Sequence, residues 1–555
     1  MAMRNKRFYK WFLLGLGILV FASIIFVTFF LKDLLIQKLS NELKHTFHNY
    51  YTIQYASLKT SLSLNGLNIT IDKPRFKSDT SLHALNRKFP ALFFKADKLI
   101  VRDLSVRKLL FTDELKLDEI LLKQPKLIFI VFSVDTTTLF TKTKKHKPKK
   151  RNYANFLHIN KISFTNGSLV CCYNNQIKDT TFLGININAI VENIDMQVSK
   201  LKTLAYNLRP ENNFSFSASR SYYRPFQSNF SFYLDSLVLS DKKKIISAKN
   251  IAQITNRSKL DISKTLQYVK TITEATIGSF KLRGYDIKQI LDQKSMVIQS
   301  MTLNAIELNM FRNKQKQFDL KSEKLLIQEM ITELPFKLKL DSIIITNSKI
   351  HFELLYKNSQ TPFVFYINKL NAVFTHLNTL NNSYDTMMLA GNGTFMDVAN
   401  FNVQAGFPNI HSPHHFYSGK VGTMPFSKFN TLLFGYAGIK ITSGAIKSIA
   451  FNGICNQFEN RGRVTFKYND LEIGITKHNG KKKAKLISFL GNMVLQNNNP
   501  RNEHERATSV NYYFRREKYQ SHTMLWIGGI LEGVKNTLIR KNIQEKGKKF
   551  MKNKK

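Results

Sequence analysis

Residues 157–170 read LHINKISFTNGSLV, and residues 338–351 read LKLDSIIITNSKIH. Ile159, Ile162, Phe164, Asn166 and Leu169 of the first stretch fall on Leu340, Ile343, Ile345, Asn347 and Ile350 of the second, at a constant offset of 181 residues. In each, an apolar run meets an Asn and then resumes, which reads as strand, Asn-led turn, strand. A long period held in register marks a duplicated supersecondary unit.

The offset extends outward in both directions. Val106, Leu109 and Leu110 fall on Ile287, Ile290 and Leu291, an i, i+3, i+4 stripe that predicts a short helix in both copies. Leu117, Ile120 and Leu127 fall on Ile298, Met301 and Leu308, and INAIV at 187–191 recurs as LNAVF at 370–374, the offset having grown to 183. Each copy therefore predicts a strand (99–101; 280–282), the helix, a strand (117–122; 297–303), a short turn and a third strand (127–131; 306–310). A polar stretch follows (141–151; 312–324), and then the strand, Asn turn and strand of the opening quotation. Ile, Leu, Val, Phe and Thr dominate these strands, as a half-buried pleated surface prefers. Neither face of 343–346 is wholly polar, so such a sheet is covered on both sides or lines an apolar cavity. Serial units of this kind stack, each burying its neighbour's face.

Apolar content of 43% and aromatic content of 12% over 555 residues exclude wholesale disorder. The net charge of +45 favours acidic partners such as phospholipid headgroups, anionic glycolipid or nucleic acid, or reflects a bias towards Lys and Asn. Residues 11–31, from Trp11 and Phe12 to Leu31, carry no charge and as a helix span about 32 Å, enough for a bilayer core. Arg4, Lys6, Arg7 and Lys10 precede them, so the positive-inside rule predicts a cytoplasmic tip (1–10) and a body across the membrane. A cleaved signal peptide is the rival reading, against which the run exceeds the usual h-region. The topology leaves no nucleic acid within reach of the basic stretch 141–151, which reads as a solvated turn.

Three cysteines make neither a disulfide framework nor a zinc site. The chain contains no nucleophile elbow, phosphate loop or paired-His zinc motif, so the reading is a non-enzyme with no catalytic, metal or cofactor residues. His411, His414 and His415 read as a surface loop, and Asp470 beside Tyr468 as a turn residue. Near the C-terminus, Met524, Ile527, Leu531, Val534 and Leu538 form a helical stripe beside Trp526, and a Lys-rich tail follows. Two readings stand there: a helix capping the last strand, or a basic amphipathic segment touching a membrane surface through Trp526, Arg540 and Lys541.

The order of basic tip, span, juxtamembrane helix (32–50) and ADKLIVRDLSVRKLLF…LKLDEILLKQPKLIFI is similar to the N-terminal segment of AsmA-like proteins. Residues 424–475, with Ser443 and Gly444 as a turn between strands, resemble that family's closing module. The resemblance implies a single-pass inner-membrane protein with its bulk in the periplasm. The implied fold is mainly β with short helices: a transmembrane helix, an elongated, curled β-groove built from duplicated strand units, and C-terminal helices. It also implies phospholipid passing between inner and outer membrane along an apolar groove, in outer-membrane biogenesis. Candidate groove residues are Leu99, Ile120, Leu122, Ile162 and Phe164 in the first copy, and Leu282, Met301, Leu303, Ile343 and Ile345 in the second. The alternative is an assembly factor that docks outer-membrane or other envelope proteins and binds no lipid. Expected segments are a first β-half (51–200), an intervening β segment (201–270), a second β-half (271–380), a closing β module (381–480) and C-terminal helices with a basic tail (481–555).

Overall fold

The computed structural model describes residues 51–78, 91–112, 114–131, 156–173, 176–197, 213–225, 227–286, 295–357, 359–380, 385–431, 433, 439–475 and 496–538. The predicted span, the juxtamembrane helix, the 141–151 stretch, the helix expected at 287–291 and the basic tail lie outside them. No described helix is long and apolar enough to cross a membrane. The protein is mainly β, and it divides into two compact units between Ala248 and Lys249.

The first unit contains β1 (Tyr51–Gln54), β2 (Ser57–Leu62), β3 (Leu67–Asp72), β4 (Arg75–Ser78), β5 (Ala91–Lys95), β6 (Lys98–Leu104), β7 (Glu114–Lys123), β8 (Lys126–Val131), β9 (Phe156–Tyr173), β10 (Gln176–Gln197), β11 (Phe214–Tyr223) and β12 (Phe230–Ser240). One half of β9 pairs with β7 and the other half with β8, both parallel, while β10 runs antiparallel along its other edge. Helix α1 (Val106–Phe111) starts where the Ser105 hydroxyl accepts the Lys108 N–H, as an N-cap does. Strand β13 (Ile245–Thr255) carries the boundary.

The second unit contains α2 (Lys259–Thr265), β14 (Thr271–Arg283), β15 (Ser295–Asn313), α3 (Ile327–Thr332), β16 (Lys337–Leu355), β17 (Phe363–Asn378), β18 (Met387–Phe395), β19 (Ala399–Phe407), β20 (His415–Val421), β21 (Met424–Pro425), a 3-10 turn (Phe426–Phe429), β22 (Ile439–Cys455), β23 (Glu459–Ile475), β24 (Ser509–Arg515) and α4 (His522–Leu538). Strands β15 and β16 pair in parallel, and the ladders from β16 through β20 to β22, β23 and β24 are antiparallel.

The duplication is present in the pairing itself. Glu114 lies opposite Phe156 and Ser295 opposite Lys337, both pairs being the same 42 residues apart and related by the offset of 181. Leu99 lies opposite Leu122, and Phe280 opposite Leu303. Buried positions repeat as well: Leu104, Leu117, Ile159 and Ile194 correspond to Tyr285, Ile298, Leu340 and Leu377, all 5% exposed or less. Even left-handed backbone repeats. Asp103, Gln124 and Asn166 have φ of 52°, 48° and 52°, and Gly284, Ala305 and Asn347 have 69°, 55° and 50°.

That backbone corrects one expectation. Asn166 and Asn347 do not turn the chain, because β9 and β16 run straight through them. Asn tolerates positive φ better than other residues with a Cβ, and one such residue inside a strand shifts the up–down alternation by one position. The expected short turn after 297–303 is the same device: β15 is continuous, with Ala305 in the left-handed region. Ser443–Gly444 is likewise no turn. Both residues lie inside β22, where Gly444 (φ 101°) faces the Asp470 carbonyl so closely that a Cβ would sit 2.6 Å from its oxygen. The segment expected to hold C-terminal helices and a basic tail (481–555) carries a strand, β24, ahead of α4.

Candidate functional site

Registered partners in a sheet share a face, so the ladders sort every strand residue. In the second unit one row runs Leu282, Met301, Ile343, Phe374, Leu389, Ala405, and the next runs Phe280, Leu303, Ile345, Ala372, Gly391, Val403. Beyond the left-handed positions the same face continues as Ala275, Leu308, Ile350, Ile367, Phe395 and as Thr273, Met310, Phe352, Phe365. Phe352 stacks on Phe365 at 5.2 Å, and Phe365 meets Phe395 at 6.3 Å. Without a phase shift at Ala305, Asn347 and Lys369 these apolar residues would emerge on the opposite side. Gly278 occupies the matching place in β14, where a Cβ would stand 3.0 Å from that of Ala305.

The first unit repeats the arrangement. Ile71, Leu99, Leu122, Phe164 and Ala189 form one row, and Ile69, Val101, Ile120, Ile162 and Val191 another. All ten sequence-derived groove candidates thus fall on the apolar face of their own unit. Nine are half-buried, and Leu282 is 7% exposed. Sequence reasoning missed Phe280, Leu308, Met310, Phe352, Phe365 and Phe374, which share the face; for Leu308, Met310 and Phe352 the signal was the apolar alternation changing phase at Ala305 and Asn347.

Little covers this face among the described residues. In the second unit α2 packs beside the ends of β14 and β15, the 3-10 turn lies against β22 with Phe429 stacked on Phe395 of this face at 6.3 Å, and α4 lies against β22, β23 and β24. In the first unit Val106 of α1 joins the cluster of Leu67, Leu104, Leu117, Leu157, Ile159 and Ile194, which closes the face at one end.

The opposite faces mix polar with apolar side chains: Thr302, Ile344 and Val373 share a row in the second unit, and Ile100, Leu121, Ser163 and Ile190 in the first. Glu119 is 7% exposed and receives Arg102 Nη1 at 2.7 Å, Ser163 Oγ at 2.8 Å and Lys161 Nζ at 3.3 Å, so the buried carboxylate is compensated. In the second unit a concavity of about 590 Å³ crosses β17 to β20, β22 and β23; Asn392, Asn402, Gln404, Ser418 and Asn452 border it.

Helix α4 closes the last strands. Its buried residues are Leu525, Gly528, Gly529, Gly533 and Thr537, while Ile527 and Leu531 of the predicted stripe are about half exposed. The indole N–H of Trp526 donates to His415 Nε2 at 2.9 Å, and its ring stacks on Tyr417 at 4.9 Å. Trp526 is therefore held by the sheet end, which matches the capping arrangement; Arg540 and Lys541, like Trp11, Phe12 and Leu31, lie outside the described residues. His415 is buried with its Nδ1 on the Pro413 carbonyl at 2.9 Å, not on a surface loop. No group of three or more His, Cys, Asp or Glu is placed to hold a metal among the described residues.

No family model matches the chain, and no curated protein matches it.

Proposed function

We propose that this chain is a non-enzymatic, membrane-anchored periplasmic protein that shields the acyl chains of phospholipid in transit between inner and outer membrane. The supporting observation is the apolar face that each unit keeps on one side of its sheet through a row of left-handed residues. Burial of each methylene favours association by about 0.8 kcal/mol, so a two-chain lipid crosses water only when escorted. A strip of Ile, Leu, Val, Met and Phe meets that need without directional chemistry. The uncharged run 11–31 and the AsmA-like order of segments add the anchor, the compartment and the link to outer-membrane biogenesis.

Photo-crosslinking residues placed singly at Leu303, Ile345, Thr302 and Ile344 of the full-length protein test this in cells. Lipid adducts are expected at Leu303 and Ile345 and not at their neighbours on the opposite face. A purified protein that yields no lipid on extraction and no adduct at any of the four positions defeats the reading.

A further inference from the structure

The apolar face of the second unit ends on two cations that no carboxylate among the described residues neutralises. Past Leu308 and Met310, the next residue of β15 on that face is Arg312, opposite Thr271 of β14 and Leu354 of β16. Its Nε and Nη2 both point at the Thr271 hydroxyl, at 2.8 and 2.6 Å, and its guanidinium stands 5.4 Å from the Phe352 ring centre. Two residues on, Lys314 places its ammonium 3.3 Å from the Tyr356 hydroxyl and 4.6 Å from that ring's centre. Among the described residues neither forms an ion pair. Burial lowers the pKa of both groups, and Arg312 lowers that of Lys314 further, so each is a charge held at a cost. A guanidinium has five N–H donors; here the Thr271 hydroxyl takes both bonds that Arg312 makes to a neighbouring side chain, through Nε and Nη2. Two half-buried cations on one end of an apolar face favour an anionic partner there.

We propose that Arg312 and Lys314 form an anion site for a phosphate group at the end of this apolar face. Arg312 supplies planar N–H donors and Lys314 a point charge, the combination that suits phosphate oxygens. From Arg312 back to Leu303 the strand runs nine residues, about 30 Å; one acyl chain needs about 15 Å, half a bilayer core. The phosphate of an amphiphile whose tails lie along Met310 and Leu308 therefore reaches both cations, and the apolar strip runs on past the tail ends to Leu303. That source rests on the proposed function, whereas free phosphate would need the cations alone.

Three probes separate the cases with the full-length protein in detergent: dioleoylphosphatidylglycerol, dioleoylglycerol and inorganic phosphate. The expected result is a preference of about tenfold or more for the phospholipid over dioleoylglycerol. Arg312→Gln with Lys314→Gln should abolish that preference and leave dioleoylglycerol binding unchanged; Arg312→Lys with Lys314→Arg should retain most of it. Binding of inorganic phosphate by the wild type and not by the double Gln variant, with neither lipid bound, supports the anion site and overturns the lipid reading. No preference in the wild type, with no phosphate bound, overturns the anion site even if the double variant fails to fold. A preference that survives in a folded double Gln variant overturns it too.

Discussion

The side-chain oxygen of Asn371 accepts the backbone N–H of Asn347 at 3.1 Å, and Asn188 does the same for Asn166 at 2.9 Å. The two donors are the left-handed residues of β16 and β9, and each acceptor also donates from its Nδ2 to a backbone carbonyl two residues earlier, Lys369 and Asn186. The duplicated units thus share a clamp at the point where the strand changes phase.

Substitution of Asn347 should follow backbone cost rather than contact loss, since Asn347 is exposed. Asn347→Gly keeps positive φ without penalty and should leave stability within about 0.5 kcal/mol. Asn347→Val forces a β-branched residue to φ 50° and should cost about 1–3 kcal/mol. Urea unfolding of the two variants checks the ranking, and equal midpoints would argue that the left-handed residue is incidental.

Glycine in α4 is a close-approach requirement. A Cβ on Gly529 would stand 2.2 Å from Asn460 Nδ2 and 2.7 Å from the Tyr512 ring. Asn460 cannot give way, because that nitrogen already donates to Tyr417 Oη at 2.9 Å and to the Leu525 carbonyl at 2.8 Å. Alanine favours an exposed helix by about 1 kcal/mol, but the overlap should outweigh it and leave Gly529→Ala destabilised by about 1–3 kcal/mol. Gly528→Ala would first meet the half-buried Phe514 ring, which can tilt, and should cost less. Thermal unfolding of both variants, followed by Trp526 fluorescence, reads the difference.

Acid should loosen the same cap. His415 accepts the Trp526 N–H at Nε2 and donates from Nδ1 to Pro413, so the neutral ring is fully bonded and a proton on Nε2 would face another donor. Burial depresses its pKa, and His522, His414 and Arg516 push in the same direction against the Pro413 bond; His522 is itself depressed by burial and by Arg516. Between the depressed folded pKa and the unfolded value near 6.5, the unfolded chain binds more protons. Stability is therefore full above about pH 6.5 and is lost as pH falls below it. The unfolding midpoint should drop between pH 7 and pH 5, and His415→Phe should flatten part of that slope while His522 supplies the rest. A slope identical in the variant would remove His415 from the account.

Strands and their partners were legible because apolar alternation repeats at a fixed offset, and Leu117, Ile159, Leu340 and Ile298 announce their burial by type. The phase shift was not, since the residue that tolerates a left-handed backbone inside a strand, Asn, is also the residue that makes turns. Arg312 was hidden for a related reason: it opens a polar stretch in the sequence, yet the strand carries it onto the apolar face. In α4 the stripe of large residues pointed outward at Ile527 and Leu531, because the buried side is set by how closely Gly528, Gly529 and Gly533 approach the sheet. Periodicity weighs size, and this contact depends on its absence.

Adjacent residues on opposite faces give the sharpest test of the apolar face. Ile344 and Ile345 are both half-buried in the same ordered strand; Ile344 shares its row with Thr302 and Val373, and Ile345 with Leu303 and Ala372. A carboxylate on either face carries a desolvation cost that grows with the apolar contact it displaces, so Ile344→Asp and Ile345→Asp control for one another in stability. Only Ile345→Asp puts charge where an acyl chain would lie. Each methylene kept from its apolar contact removes about 0.8 kcal/mol, so the loss of two or three should cut lipid retention by about tenfold or more. Lipid extracted per mole of purified protein should fall in Ile345→Asp and stay near the wild-type value in Ile344→Asp. Equal loss in both variants would trace the effect to general destabilisation and remove the face from the mechanism.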